Sequence, residues 1–321
     1  MYIDTFGGDM SELTVIVPCK NEEEAIPLFY KELIARTGFL ERKEIELRVL
    51  FIDDGSTDRT VEVVRQLHNS DERVHLISFS RNFGKEAAMY AGLKAAENSD
   101  YAVIMDADLQ DPPALLEEMF SYIDEGYDSV ATRRVDRKGE PPIRSFFARR
   151  FYKVMRKLSD TEIMDGARDY RLMTKQFVAA VLSMTEYNRF TKGIFGWVGY
   201  ETKWIDFENV DRSAGKTKWN FWGLVIYSLE GITAFSTKPL VLSSLIGVFL
   251  CFISFVMILF IIIRWFMFGD PVDGWPSLMT VIVFVGGLQF FCTGILGQYI
   301  AKAYLEVKNR PLYLKDEKNC F

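Results

Sequence analysis

Cysteine is scarce, and none of Cys19, Cys251, Cys292 and Cys320 stands in a CxxC or Cys/His spacing. That arrangement predicts no disulfide framework and no zinc site, and the cysteines within apolar stretches read as small packing residues. Positive charge is not in excess either. With 38 basic against 44 acidic side chains, the net charge of -6 argues against general affinity for nucleic acid. Met1 to Met10 carries acids and no apolar core of seven or more residues, so no cleavable signal peptide is expected and the large N-terminal part is expected to stay in the cytoplasm. There is no internal repeat and no low-complexity tract. The most informative shortage is local: residues 240 to 301 contain only Arg264, Asp270 and Asp273 as charges. A water-soluble domain followed by a membrane segment is the reading this split favours.

Leu240 to Ile263 runs for 24 residues without a charge. As a helix it would reach about 36 Å, enough for a hydrocarbon core of about 30 Å. Trp275 to Ala301 offers a second run, interrupted by Gly286, Gly287, Gly294 and Gln298, residues that suit close helix contact and would permit a homo-oligomer. Lys238 precedes the pair, and Lys302, Lys308, Arg310, Lys315 and Lys318 follow it. The positive-inside rule then keeps both ends cytoplasmic. Two further stretches read as interfacial helices: the basic, amphipathic Arg144 to Lys157, and Trp219 to Ser236 with Trp222 and Tyr227 at headgroup level.

Before these, short apolar runs appear at Leu13 to Cys19, Leu47 to Asp54, Val74 to Ser80, Tyr101 to Asp108 and Asp128 to Thr132, with helix-compatible segments between. Such alternation predicts an α/β sheet covered on both faces, with ligands at the carboxyl ends of the strands. No Gly-rich turn and no Gly-Lys-Ser/Thr follows the first strand, where Pro18-Cys19-Lys20-Asn21-Glu22 stands instead. The other strand ends are acidic. Asp106-Ala107-Asp108 closes one, and alternate residues of extended chain point the same way, so both carboxylates can address one divalent cation. Asp53-Asp54-Gly55-Ser56-Thr57-Asp58 closes another, with Ser56 or Thr57 also able to cap a helix.

Together with Val15-Ile16-Val17-Pro18-Cys19-Lys20-Asn21-Glu22 and Arg81-Asn82-Phe83-Gly84-Lys85, these motifs resemble the family 2 glycosyltransferases of GT-A fold. Gly294-Ile295-Leu296-Gly297-Gln298-Tyr299 and Glu306-Val307-Lys308-Asn309-Arg310-Pro311 resemble its polyprenyl-phosphate branch, which includes bactoprenol glucosyltransferases and dolichol-phosphate mannose synthases. With the hydropathy and charge pattern, this divides the chain into a cytoplasmic GT-A catalytic domain over residues 1–215, an interfacial helix over 216–238, two transmembrane helices within 239–302 (about 240–263 and 275–301) and a cytoplasmic tail over 303–321. The resemblance implies that Pro18, Glu22, Asp53 and Lys85 serve the nucleotide, and that Asp106 and Asp108 hold Mg²⁺ or Mn²⁺ against the diphosphate. Arg212, Lys216 and Lys218 match the family's diphosphate-gripping loop, and Asp169 matches the position often assigned as general base, with Asp165 nearby.

A lipid phosphate is largely ionised at neutral pH, with a second pKa near about 6, so Asp169 is expected chiefly to orient groups or to position Arg171 through an ion pair. Arg133 and Arg144 are the candidates for the acceptor phosphate, because guanidinium groups match its geometry. The resulting expectation is an inverting, metal-dependent transferase. It would move glucose or N-acetylglucosamine from a UDP-sugar to undecaprenyl phosphate at the cytoplasmic membrane face. A GDP-mannose enzyme and a catalytically silent membrane scaffold are the alternatives. A processive polysaccharide synthase is disfavoured because no Gln-x-x-Arg-Trp segment occurs.

Overall fold

The computed structural model describes residues 10–134, 164, 166–207, 238–268 and 274–321. The basic helix expected from Arg144 to Lys157, the expected interfacial helix at Trp219 to Ser236 and the loop carrying Arg212, Lys216 and Lys218 lie outside the described residues.

The first half of the catalytic region alternates strand and helix. It comprises β1 (Ser11–Cys19), α1 (Ala25–Arg36), the single turn α2 (Phe39–Arg42), β2 (Ile45–Asp53), α3 (Thr60–Ser70), β3 (Val74–Ser78), α4 (Lys85–Ala95) and β4 (Tyr101–Ile104). After α5 (Leu116–Asp124) come β5 (Ser129–Arg134), β6 (Ala167–Thr174), α6 (Lys175–Ser183), α7 (Thr191–Trp197) and β7 (Thr202–Phe207). The sheet order is β3-β2-β1-β4-β6-β5-β7. The first four strands are parallel, β6 runs antiparallel to both neighbours, and β7 returns parallel to β5. This is the mixed, GT-A-like α/β sheet the motifs imply.

Central β1 is buried on both faces, which is why Leu13, Val15, Ile16 and Val17 form a continuous apolar run rather than an alternating one. One face of the sheet packs Val15, Val49, Phe51 and Leu172 against Phe29 of α1, Val64 of α3 and Phe120 of α5. The other packs Ile16, Ile52, Ile104 and Met173 against Ala88 of α4, Phe177 of α6 and Phe195 of α7. Each large side chain buried this way contributes about 1.5–3 kcal/mol. Helix α4 lies so close to β1 that a Cβ on Gly92 would come within 2.1 Å of Ile16. That helix also carries the first site lysine, so the contact fixes its height over the sheet.

Two differences from the sequence expectations follow from composition. Strand β4 ends at Ile104 rather than at the acids, and the chain turns at Leu109, whose φ is +57°. Strands β6 and β7 carry Arg168, Asp169, Arg171, Lys203 and Asp206, and this polar content conceals them from any search for apolar runs.

Helices α8 (Lys238–Phe268) and α9 (Trp275–Val307) contact each other and contain the two stretches expected to span. Within α9, Phe284–Val307 is long and apolar enough to cross a membrane, and Phe290 and Phe291 stand exposed on it. The chain beyond α9 is no loose tail. Lys315 bridges Phe79 in antiparallel sense, Asp316 donates to Ser78 O at 2.8 Å, and Leu76 donates to Phe321 O at 2.7 Å. Tyr313 stacks on Phe79 with ring centroids 4.8 Å apart. The tail thus covers the edge strand β3, which would otherwise present unpaired backbone groups.

Candidate active site

Two loop clusters form at the carboxyl ends of the parallel strands. The first is a set of backbone-directed carboxylates. Asp53, buried at the end of β2, accepts from Ser56 N at 3.0 Å and Ser78 Oγ at 2.8 Å. Asp54 accepts from Phe83 N at 2.6 Å and Gly84 N at 3.0 Å. Burial raises the Asp54 carboxyl pKa above its ordinary value against the lowering pull of those two N–H groups. Gly55 has φ +65°, and a Cβ there would meet Arg81 C at 2.6 Å. Only glycine lets the loops after β2 and β3 approach so closely. Asn21 Oδ1 accepts from Thr57 N at 2.8 Å, and Glu22 N donates to Thr60 Oγ1 at 2.9 Å, so the turn after Pro18 is tied to the same cluster.

The second cluster pairs carboxylates with side-chain cations. Asp106 follows β4, buried Ala107 turns inward, and Asp108 accepts from Gln110 N at 3.1 Å. Lys85, the first residue of α4, places Nζ 2.7 Å from Asp106 Oδ1 and 2.6 Å from Asp169 Oδ2. Lys192 of α7 approaches the other Asp169 oxygen at 3.6 Å. Burial by itself would raise the Asp169 pKa, but the Lys192 and Lys85 ammonium groups outweigh it and hold the carboxyl well below the usual carboxylate range. The Lys85 ammonium, despite its own desolvation, is pushed above the ordinary lysine value by Asp106 and Asp169.

These positions correct one expectation. Asp169 makes no ion pair with Arg171; it pairs with the two lysines. Arg171 instead donates from Nη1 to Ser129 Oγ at 2.7 Å and Thr202 Oγ1 at 3.3 Å. Burial pushes its guanidinium pKa down to about 9 against the raising influence of Asp169, which leaves it charged at neutral pH. Lys85, expected at the nucleotide, bridges Asp106 and Asp169. Arg133 is engaged by Asp206 of β7 through two bonds of 2.7 and 2.8 Å. Arg144 lies outside the described residues, as do Arg212, Lys216 and Lys218.

Four site residues had escaped the sequence. Asp111, fully buried, accepts from Arg168 Nε at 2.9 Å and ties the turn after Asp108 to β6. Burial raises the Asp111 pKa to about 6, with Arg168 pulling the other way. Glu86 accepts from both the backbone N–H and the hydroxyl of Thr191, which links the start of α4 to the start of α7. Lys192 completes the pairing of Asp169. Asp111 stands three residues after Asp108; for Glu86 and Lys192 no local pattern exists.

Asp106 and Asp108 fit a hard divalent cation. They are oxygen donors two residues apart in the turn after β4. Among the described residues no group of three or more acids, histidines or cysteines is arranged to hold a metal, so a cation on Asp106 and Asp108 would depend on further oxygen donors from substrate or water.

Residues 14–182 match the family model described as glycosyl transferase family 2. The chain belongs to that family. It is 42% identical over 303 residues to the SfII prophage-derived bactoprenol glucosyl transferase of Shigella flexneri, covering 94% of this chain and 97% of that one. It is 41% identical over 308 residues to the bactoprenol glucosyl transferase of Shigella phage SfV, covering 96% and 99%. A prophage bactoprenol glucosyl transferase homolog of Escherichia coli is 40% identical over 303 residues, covering 94% and 98%. These similarities extend through α8 and α9, well beyond the family-matched segment.

Proposed function

We propose that this glycosyltransferase moves a hexose from a UDP-sugar to a polyprenyl phosphate, undecaprenyl phosphate, at the cytoplasmic face of the membrane, with inversion at the anomeric carbon. The observation that carries the reading is the row Asp106–Lys85–Asp169 at the carboxyl end of the sheet, on a chain that also holds an apolar helix of membrane-crossing length. The names of the relatives favour glucose over N-acetylglucosamine. In this reading α8 and α9 form a membrane hairpin. The tail returns from α9 to the edge of β3, which keeps it on the same side as the catalytic sheet.

Charge bookkeeping supports a metal. Lys85, Arg168 and Lys192 are each engaged by Asp106, Asp111 or Asp169, and with Asp108 added these groups, Arg171 apart, carry a net negative charge unfavourable to a diphosphate without a metal. Mg²⁺ or Mn²⁺ on Asp106 and Asp108 would reverse that sign and, when bound, would stabilise negative charge gathering on the departing diphosphate. Lys85 would hold the Asp106 and Asp169 carboxylates apart and in register. Asp169, whose proton affinity is suppressed by two ammonium groups, would orient Lys85 and Lys192 rather than take a proton from an acceptor that is already anionic. The buried Asp111–Arg168 pair would keep the turn carrying Asp108 against β6.

The test uses the full chain in membranes with a panel of radiolabelled nucleotide sugars, undecaprenyl phosphate and Mg²⁺, and organic extraction of the product. Extracted label from UDP-glucose that disappears with Asp106→Asn and with EDTA is the expected result. Label from GDP-mannose alone would refute the donor assignment, and full turnover in excess EDTA would refute the metal.

A further inference from the structure

Beneath α7 lies a cavity of about 150 Å³, walled by Arg168 and Arg171 of β6, Lys192 and Phe195 of α7, and Thr202 and Trp204 of β7. Two of its three cations are already paired, Arg168 with Asp111 and Lys192 with Asp169. Arg171 is different. It is only 4% exposed, its two hydrogen-bond partners are neutral hydroxyls, and its Nε has none. No ion pair to it occurs among the described residues. Its remaining neighbours are aromatic: the rings of Phe195, Trp204 and Phe177 lie 4.5, 5.3 and 5.7 Å from the guanidinium carbon. Ring faces attract a cation but do not neutralise it, and a buried charge without a counter-ion is strongly disfavoured. The fold therefore maintains a buried positive charge with no direct ion-pair partner among the described residues, Asp169 acting on it only from beyond contact while bound to Lys85 and Lys192, at the wall of a cavity.

We propose that this cavity is an anion subsite shaped for a phosphomonoester, with Arg171 as the buried cation that binds its oxygens. The guanidinium is planar and its buried Nε–H is unpartnered within the fold; a planar guanidinium has the geometry that suits phosphate. Lys192 both lines the cavity and touches Asp169, so a phosphate held here sits one side chain from the Asp106–Lys85–Asp169 row. Arg133, by contrast, is already occupied by Asp206. The assignment of that phosphate to the acceptor lipid rests on the function proposed above; free inorganic phosphate shares the chemistry, and the test separates the two.

The detergent-purified full chain is titrated calorimetrically with geranylgeranyl phosphate, geranylgeraniol, inorganic phosphate and UDP, for the wild type, Arg171→Met and Arg171→Lys. The expected result is that Arg171→Met weakens geranylgeranyl phosphate by about tenfold or more, that Arg171→Lys weakens it less, and that UDP affinity stays within about twofold. Arg171→Met that melts like the wild type and binds geranylgeranyl phosphate equally well overturns the subsite. If Arg171→Met does not fold, Arg171→Lys decides, because unchanged affinity in that variant overturns the subsite as well. Geranylgeraniol binding as tightly as its phosphate also overturns it. Arg171-dependent binding of inorganic phosphate without binding of geranylgeranyl phosphate supports the subsite while refuting the lipid acceptor, so the two readings fail separately.

Discussion

The loops after β1, β2 and β3 and the loops around β4 and β6 both collect carboxylates at one end of the sheet, yet the two regions use them in opposite ways. In the first, the partners are backbone N–H and hydroxyl groups: Ser56 N and Ser78 Oγ for Asp53, Phe83 N and Gly84 N for Asp54, Thr60 N for Asp58. In the second, they are side-chain cations: Lys85 for Asp106, Arg168 for Asp111, Lys85 and Lys192 for Asp169. A carboxylate saturated by backbone donors is a strut, because releasing it leaves those donors unsatisfied. A carboxylate held by an ammonium on a flexible stem can change partners when a substrate or a metal arrives. Motifs of equal acidity therefore divide into scaffold and machinery according to their donors.

The largest expected effect tests the machinery. Asp106→Asn and Asp108→Asn should each lower transfer by about 10³-fold, the scale of losing a principal stabiliser of leaving-group charge, with little change in melting temperature. Asp53→Asn should instead destabilise the chain before it affects the rate. A Lys85→Met variant sharpens the division further. Removing that ammonium leaves Asp106 without its ion-pair partner and Asp169 with Lys192 alone, and kcat is expected to fall by about a hundredfold. If Lys85→Met changes only the melting temperature, Lys85 belongs with the struts.

How far the sequence reveals this division depends on the range of each interaction. The parallel strands are legible because burial on both faces leaves apolar stretches such as Val15 to Val17 and Val49 to Ile52, and Asp106-Ala107-Asp108 is legible because its chemistry is local. Asp169 was placed by resemblance alone, since β6 is too polar to register as a strand. The Arg168–Asp111 pair joins residues 57 apart, the Thr191–Glu86 link spans 105, and Glu306 at the end of α9 accepts from Tyr187 N and Asn188 N across more than a hundred residues. No periodicity encodes such pairings. The tail's role was hidden for a related reason: Pro311-Leu312-Tyr313-Leu314-Lys315 lacks clean alternation, and its partner strand lies far earlier in the chain.

Smaller effects probe the scaffold. Asp54→Ala strips the acceptor from two N–H groups at the start of α4 and should cost about 1–2 kcal/mol, a fall of about 2–8 °C in Tm for a domain of this size. Deleting Leu312 to Phe321 uncovers the edge of β3 and the stacked face of Phe79. A loss of about 1 kcal/mol is expected, together with concentration-dependent association by light scattering, because an unpaired strand edge invites another chain. A truncated chain that melts and scatters like the full one would show that the tail rests on the sheet without supporting it.

The smallest effect is an expected absence of change. The Asp169 carboxyl is held well below its ordinary value, so the stability it contributes is fully present above an unfolded pKa of about 4 and is lost only as pH falls through the lower folded value. Between pH 5 and 8 it does not titrate. An acid limb of kcat/KM in that window then comes from the second ionisation of the acceptor phosphate, near about 6, or from Asp111, whose pKa burial raises to about 6, and not from Asp169. The measurement is the pH–rate profile of the wild type beside Asp169→Asn. If Asp169 orients the lysines, the asparagine variant is slower throughout but keeps the same acid midpoint. If Asp169 is the base, the variant loses that limb, and the division of roles drawn here between Asp169 and the acceptor's own charge is wrong.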